Sequence, residues 1–309
     1  MATKDKTKPK TKRIKLKVVK TEADYDTDRV LGKELFPELF ANIYISGKKK
    51  SGKTQLLWNI LKHCTNKSTK VMLFSATAEK DPTYKEIGKM LKSKGVDFTT
   101  FDHFIDEDGT DLLADFILKA KTEAEEEGRE EKPAPPTSRK YVPVEEARML
   151  FGDELPRSQI AKMQAAEDKL AEEEAKKVAE KKAKKAKSGK GKAKLAPEYI
   201  LCFDDLGEDL RKKSISQLLI KNRHFRCKTI ILSQWLTYIR PTAVRQLDYA
   251  ILFGGFPEDK LEELHKKLDL SDTPEEFAAT YRQATEQKYS FLTVDIGEQT
   301  YQKKFDPIV

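Results

Sequence analysis

Four residues in the stretch ANIYISGKKKSGKTQLLWNI, residues 41–60, have the types and spacing that bind phosphate groups. Gly47, Gly52, Lys53 and Thr54 form the pattern Gly-x-x-x-x-Gly-Lys-Thr, between β-prone apolar residues and apolar residues at helical spacing. The glycines permit unusual backbone angles, so main-chain N–H groups can point at an anion above the positive end of the following helix. The stretch therefore predicts a nucleoside triphosphate site.

The pattern assigns a role to each position of this phosphate loop. Lys53 is predicted to reach the β- and γ-phosphates, and the Thr54 hydroxyl is predicted to ligate Mg²⁺. The remaining predicted nucleotide-binding residues are Gly47, Lys48, Lys49, Lys50, Ser51 and Gly52.

Two adjacent acids end the apolar run of YILCFDDL. Buried neighbouring carboxylates are costly unless a cation neutralises them, which favours a functional site. Asp204 is predicted to order the Mg²⁺ shell, and Asp205 to polarise an attacking water. Together with the phosphate loop, this pair predicts hydrolysis of ATP with Mg²⁺ as cofactor.

The next apolar run, KTIILSQ, ends in the polar residue Gln234, and Arg240 and Arg245 follow it. In a parallel sheet a polar side chain at the end of a strand lies at the edge where ligands bind, so Gln234 is predicted to sense the γ-phosphate. Arg240 and Arg245 are candidates for an arginine supplied to the phosphate of a neighbouring subunit. A plain surface position is the alternative for either arginine.

Alternating strand and helix patterns predict an α/β fold with a mainly parallel central sheet flanked by helices. The sequence divides into a basic arm at 1–30, a first part of the ATPase domain at 31–122, a charged low-complexity insertion at 123–196, and a second part at 197–309. The insertion is predicted to comprise an acidic linker at 123–140, an amphipathic helix at 144–163, and a partly helical or disordered Ala/Glu/Lys tract at 164–194.

The net charge of +8 over 309 residues is concentrated in two segments. Residues 1–20 hold nine basic side chains and one acid, and residues 176–194 hold ten lysines and one glutamate, so the remainder is net acidic. Such segments are either solvated and disordered, or attract nucleic acid phosphates or act in nuclear import.

Other sequence features concern location. No apolar run is long enough to cross a bilayer, and the N-terminus lacks the apolar centre of a signal peptide. We therefore expect an intracellular protein with no membrane partner.

The three cysteines, Cys64, Cys202 and Cys227, are predicted to be reduced core thiols.

Four segments in this order and spacing resemble the genome-packaging ATPases of poxviruses, other large eukaryotic DNA viruses, virophages and related transposons: ISGKKKSGKT, YILCFDDL, LLIKNRHFRCKTIILSQ and IRPTAVRQLDYAILF. This family is a branch of the FtsK–HerA superfamily of P-loop NTPases. The resemblance covers roughly residues 40–255 outside the insertion. Arg245 lies at the family's arginine position, whereas Leu247 replaces an asparagine that members often carry.

The resemblance implies an ATP-driven translocase that packages double-stranded DNA into a capsid. It further implies a homo-oligomeric ring, a capsid or portal-vertex partner, and a place in the host cell, at a virus factory or the nucleus, or with the virion. By family, Lys53 and Thr54 bind nucleotide and metal, Asp204 and Asp205 serve hydrolysis, and Gln234 is the sensor.

Two other classes of function remain open on the residues. One is a monomeric P-loop kinase or GTPase, although TNKS at 65–68 lacks the aspartate that guanine recognition requires, and the insertion shows no arginine-rich lid. The other is a DNA-tethering protein in which ATP controls assembly only. The coexistence of Asp205, Gln234 and candidate arginines favours a motor over this tethering protein.

Overall fold

The computed structural model describes residues 25–78, 80–105, 111–130 and 194–308. Its strands are β1 Asn42–Ser46, β2 Lys70–Phe74, β3 Asp97–Phe101, β4 Tyr199–Asp204, β5 Cys227–Ser233, β6 Tyr249–Phe253, β7 Phe291–Asp295, β8 Thr300–Lys303 and β9 Asp306–Pro307. Its α-helices are α1 Lys53–Cys64, α2 Pro82–Ser93, α3 Leu112–Glu130, α4 Lys213–Lys221, α5 Pro241–Val244, α6 Glu258–Leu268 and α7 Pro274–Ala284. Short 3₁₀ helices span Thr27–Arg29, Gly207–Arg211 and Leu236–Tyr238.

The described strands form one sheet in the order β3-β2-β4-β5-β1-β6-β7-β8-β9. Pairings from β3 through β6 are parallel, and those from β6 through β9 are antiparallel. All residues of β1, β4, β5 and β6 are buried, as expected of strands covered on both faces. The predicted α/β fold with a mainly parallel sheet is confirmed.

Helices cover both faces of the sheet because alternate strand residues point to opposite sides. Ile43 and Ile45 of β1 pack in a cluster with residues of α1 and α2. Tyr44, between them in sequence, packs in a second cluster with residues of α3 to α7. The carboxyl ends of the parallel strands are therefore held between two apolar layers.

Several predicted boundaries differ from the structure. Helix α3 continues to Glu130, into the segment predicted as an acidic linker. The stretch SISQLLIKNRHF predicts a helix over 214–225, whereas α4 ends at Lys221. The chain turns after α4 because Cys227 N–H donates to the Asn222 carbonyl at 3.0 Å and Arg226 adopts a φ of 50°. A helix expected over 241–247 spans only Pro241–Val244. Strand β7 is not the last, since β8 and β9 extend the sheet.

Residues assigned by sequence to the arm and the insertion in part belong to the folded domain. The Tyr25 hydroxyl accepts a hydrogen bond from Leu39 N–H at 2.7 Å, and Val30 forms a β-bridge with Leu195. The predicted helix at 144–163 and nearly all of the tract at 164–194 lie outside the described residues, as does the basic segment 1–20.

The prediction for the cysteines is confirmed, because Cys64, Cys202 and Cys227 are buried and free. Burial raises the pKa of all three thiols. Within the described ranges, no helix combines the length and apolar character that crossing a bilayer requires.

Candidate active site

The phosphate loop connects β1 to α1, and its two glycines are needed for different reasons. Gly52 adopts a φ of 107°, which non-glycine residues rarely reach, and its carbonyl accepts the first helical hydrogen bond from Leu56 N–H at 2.9 Å. Gly47 does not have a left-handed φ. A Cβ there would lie 2.5 Å from Ser51 Oγ and 2.8 Å from Phe253 Cβ, so close packing excludes larger residues. The expectation of unusual backbone angles therefore holds for Gly52 alone.

The Lys53 ammonium lies over the loop. Its Nζ donates to the carbonyls of Gly47 at 2.8 Å and Lys48 at 3.2 Å. Partial burial lowers the pKa of Lys53, while the charges of Asp204 and Asp205 act in the opposite direction. The three lysines before Ser51 are exposed. The loop therefore concentrates positive charge, with Lys53 as its half-buried member.

Asp204, the last residue of β4, is buried at the same edge of the sheet, with 8% of its surface exposed. The Tyr84 hydroxyl, from α2, donates a hydrogen bond to its carboxylate. Burial raises the pKa of Asp204 to about 6; Tyr84 and Lys53 oppose that shift, and Asp205 adds to it. Thr54 is a further hydrogen-bonding neighbour of Tyr84. One tyrosine thus lies beside both predicted metal ligands, a position that no local sequence pattern indicates.

The residues present fit the predicted Mg²⁺. Thr54 and Asp204 offer hard oxygen ligands, which Mg²⁺ prefers, and this ion is commonly held by one or two carboxylates together with nucleotide phosphates. In the part of the chain that the structure describes, no cluster of three or more His, Cys, Asp or Glu side chains could hold a metal by itself. A Mg²⁺ site at Thr54 and Asp204 stays a prediction, in which nucleotide phosphates would supply further ligands.

Asp205 occupies a different environment from Asp204. It is exposed, adopts a φ of 55°, and donates its N–H to the Leu232 carbonyl at 3.3 Å. The sequence argument treated both acids as buried, and for Asp205 this is wrong because the chain leaves the strand at that residue. Its role toward the attacking water stays a prediction.

Strand β5 places Gln234 between the phosphate loop, which follows β1, and the acidic pair at the end of β4. It pairs with β4 through Asp204 and Leu232, and with β1 through Ser46 and Ser233. Gln234 is the next residue and is half-buried. Its carbonyl accepts hydrogen bonds from Ser46 Oγ at 3.4 Å and from Lys260 Nζ. The predicted position at the ligand-binding edge is observed, and the sensor role stays a prediction.

Lys260 of α6 contacts the candidate site through the Gln234 carbonyl, and the sequence analysis did not select it. Its ammonium lies 4.2 Å from the ring centroids of both Trp235 and Phe256. Burial lowers its pKa to about 8, and the positive charges of Lys48 and Lys53 contribute in the same direction. A lysine in an amphipathic helix ordinarily marks a solvated face. In the sequence, Trp235 and Phe256 are the only sign of this contact, and they lie in separate loops.

The two candidate arginines do not join the chain's own phosphate loop. Arg240 Nε donates to the Arg211 carbonyl, and Arg211 Nη2 donates to the Thr237 carbonyl at 3.2 Å. Arg245 is exposed immediately after α5. Both arginines line a cavity of about 780 Å³ beside α5 and α6. Action on another subunit stays a prediction for each.

One known protein family is similar to the second half of the chain. Residues 159–299 match the family model of the poxvirus A32 protein. This part of the chain is A32-like. The match includes Asp204, Asp205, Gln234 and both arginines but not the phosphate loop, so the loop motif and the A32-like region are separate observations. The resemblance seen in the sequence motifs is confirmed for the motifs within residues 159–299. No curated protein sequence matches the chain.

Solved structures with some similarity to the chain have low sequence identity to it. The genome packaging NTPase B204 of Sulfolobus turreted icosahedral virus 2 with AMP is 14% identical over 88% of this chain and 100% of its own, with a TM-score of 0.44. The DNA-packaging ATPase B204 of Sulfolobus turreted icosahedral virus is 15% identical over 85% and 95%, with a TM-score of 0.44. The pCW3 conjugation coupling protein TcpA with ATPgS is 14% identical over 82% and 56%, with a TM-score of 0.42.

Proposed function

We propose that the chain is a viral DNA-packaging ATPase that uses ATP hydrolysis to move double-stranded DNA into a capsid. The observation that carries this proposal is the convergence of Lys53, Asp204 and Gln234 at one sheet edge, with β5 between β4 and β1. The A32-like region supports the viral packaging role. Both lines are needed, because a phosphate loop alone is common to kinases, GTPases and motors.

The side chains divide the hydrolytic work. Lys53 contacts the β- and γ-phosphates once the nucleotide replaces the loop carbonyls as its partner, and Thr54 and Asp204 hold Mg²⁺. When bound, Mg²⁺ neutralises charge that develops on the phosphate oxygens. Asp205 orients the attacking water, and Gln234 detects loss of the γ-phosphate.

The proposed partners follow from charge and from the family. The lysine-rich segments 1–20 and 176–194 attract DNA phosphates without regard to sequence. A homo-oligomeric ring brings Arg245, or Arg240, to the phosphate of a neighbouring subunit. Packaging further requires a capsid or portal-vertex protein, in a virus factory or the nucleus of the host cell or at the virion.

Steady-state ATP hydrolysis by the full chain, with and without double-stranded DNA, tests the proposal. We expect Mg²⁺-dependent turnover that DNA increases several-fold, with a stimulation that weakens as salt rises. Nucleotide binding without turnover would instead indicate a tethering protein. Preferential binding of GTP would indicate a GTPase, and either result would overturn the proposal.

Mixing variants tests catalysis between subunits. Arg245→Ala should bind ATP yet hydrolyse it poorly, and adding Lys53→Ala should restore part of the activity because an intact loop can then face an intact arginine. Arg240→Ala in the same mixture identifies which arginine acts. A mixture as inactive as its components, while subunits exchange, would refute a shared active site.

A further inference from the structure

A cavity of about 380 Å³ adjoins the phosphate loop on the side away from Asp204. Lys50 and Ser51 of the loop line one side of it, and residues 285–290, between α7 and β7, line the other. Residues 253–255, at and after the end of β6, complete the lining. We refer to this cavity as the β6 cleft. Its volume lies in the range of small-molecule sites.

The strand order determines which end of a nucleotide would face this cleft. Strands β5 and β4 lie on one side of β1, and β6 and β7 lie on the other. The reacting end of a triphosphate must face the first side, because Asp204 and Gln234 are there. The other end, which carries ribose and base, therefore leaves the loop toward β6.

Two serine hydroxyls in the cleft lack hydrogen-bond partners among the described residues. They are Ser51 Oγ and Ser290 Oγ, and the Ser290 residue is only 2% exposed. Leaving a buried hydroxyl unpaired costs about 1–3 kcal/mol. Polar groups left unpaired beside a cavity are suited to a ligand that carries hydroxyls or ring nitrogens.

An exposed aromatic side chain stands at the same place. Tyr289 is 57% exposed and adopts a φ of 65°, which is uncommon for an aromatic residue. Its ring lies beside the phosphate loop, since a Cβ built on Gly52 would be 3.6 Å from Tyr289 Cδ1. Aromatic faces stack on nucleobases irrespective of base identity.

The wall of the cleft at β6 is held rigidly. The Tyr281 hydroxyl donates to the Phe253 carbonyl at 2.7 Å and accepts from Phe256 N–H at 3.1 Å. A Cβ on Gly254 would lie 3.1 Å from the Thr285 carbonyl oxygen, so the two sides approach as closely as glycine permits. These contacts hold the β6 side of the cleft in place.

We propose that the β6 cleft binds the nucleoside of the nucleotide, with the base packed on Tyr289 and with Ser290 donating a hydrogen bond to ribose or base. This inference rests on the proposed function, since it concerns the nucleotide whose phosphates the loop holds. It adds Tyr289 and Ser290 to the binding site.

Affinities of the full chain for Mg²⁺-ATP and for inorganic tripolyphosphate test the proposal. Tyr289→Ala should weaken ATP binding about tenfold, which corresponds to about 1.4 kcal/mol, and leave tripolyphosphate within about twofold. Tyr289→Phe, the matched control, retains the ring and should bind ATP nearly as the wild type does. Ser290→Ala should weaken ATP about fivefold without lowering the Tm, because its hydroxyl has no partner to lose.

Comparing Mg²⁺-ATP with tripolyphosphate distinguishes a failure of this inference from a failure of the proposed function. If Tyr289→Ala and Ser290→Ala bind ATP as tightly as the wild type, the nucleoside lies elsewhere and only this inference is overturned. If Tyr289→Ala weakens both ligands equally, the residue acts on the phosphate loop and the inference is again overturned. A wild type that binds neither ligand would overturn the proposed function together with this inference.

Discussion

Buried polar groups at the amino ends of the parallel strands are mostly paired within the chain. Asn42 Nδ2 donates to the carbonyls of Leu219 at 2.9 Å and Gln246 at 2.7 Å, and Asn42 N–H donates to Asp248 Oδ2 at 2.7 Å. Lys228, fully buried, donates to the Glu38 carbonyl at 3.0 Å. Asn42 Oδ1 is an exception, without a partner among the described residues.

At the opposite edge of the sheet, beside the carboxyl ends of the same strands, two hydroxyls are unpaired and two charged side chains have pKa values shifted by burial. Ser51 Oγ and Ser290 Oγ have no partner in the described structure, and Asp204 is buried with its pKa raised by burial. Lys260 is held among aromatic rings with its pKa lowered by burial. Charge and hydrogen-bonding capacity are thus left for a ligand at this edge.

Buried polar groups at the two edges of the sheet therefore have different roles. Paired groups at the amino edge connect β1 to its neighbours, so they should govern stability. Incompletely paired groups at the carboxyl edge reduce stability, so they should govern ligand binding and turnover. Substitutions that affect one property and spare the other can break or sharpen this comparison.

The largest effect should follow Asp204→Asn, which preserves shape and removes the carboxylate charge. We expect Mg²⁺-dependent turnover to fall about a hundredfold, because the metal supplies several kcal/mol of charge stabilisation. The Tm of the nucleotide-free chain should stay unchanged or rise, since a buried charge is removed while Tyr84 can still donate to the amide oxygen. Turnover as a function of Mg²⁺ concentration, together with thermal unfolding, measures both.

Asp205→Asn provides the matched control on a neighbouring exposed carboxylate. It should leave the Mg²⁺ concentration dependence as in the wild type even if its turnover falls. A lowered Tm in Asp204→Asn, with normal turnover, would place Asp204 with the structural residues and break the comparison.

A smaller effect, on stability alone, should follow Asn42→Ala at the opposite edge. The substitution leaves the buried Leu219 carbonyl and the partly buried Gln246 carbonyl without this donor, which should lower the free energy of unfolding by about 2 kcal/mol. ATP turnover per folded molecule should not change. Urea unfolding measures the loss, and Asn59→Ala, which removes an exposed amide from α1, is the control. Equal stability of the two variants would contradict the structural role of the amino edge.

Much of this arrangement could be predicted from sequence because it is local. The phosphate loop has a fixed spacing between a strand and a helix, and the apolar runs before Asp204 and Gln234 indicate buried strands. Short apolar runs alternating with apolar residues at helical spacing were enough to predict the α/β fold. Helix ends were less predictable, as the early end of α4 at Lys221 shows, because a turn after it depends on backbone hydrogen bonds.

The rest depends on contacts between distant segments. That β5 lies between β4 and β1 follows from how the strands pack, and no local pattern encodes it. Tyr84 looks like one more apolar residue of α2, and Lys260 looks like a solvated lysine of α6, until the sheet brings Asp204 and Gln234 beside them. The serines of the β6 cleft carry no sequence signal, since only the structure shows that they lack partners.

The smallest effect should be a pH dependence of stability caused by Lys260. Burial lowers the pKa of Lys260 in the folded chain to about 8 from its ordinary value of 10.5, with Lys48 and Lys53 lowering it further and Glu263 opposing them. The unfolded chain therefore binds more protons between these values. The cost of burying the charge is fully present below pH 8 and is relieved as pH rises toward 10.5.

Lys260→Met removes this titration, so the free energy of unfolding of the wild type should increase relative to the variant as pH rises from 8 to 10.5, by about 1 kcal/mol after solvent screening. Lys266→Met removes an exposed lysine from the same helix and serves as the control. The measurement is then repeated with saturating Mg²⁺-ATP. It decides whether Lys260 has a structural role, like the groups at the amino edge, or contributes to ligand binding, like those at the carboxyl edge. A triphosphate facing Lys260 would stabilise its ammonium and abolish the pH-dependent difference, whereas a purely structural lysine would keep it. If the free energies of unfolding of the wild type and Lys260→Met differ by the same amount at every pH in the absence of nucleotide, burial does not lower the pKa of Lys260.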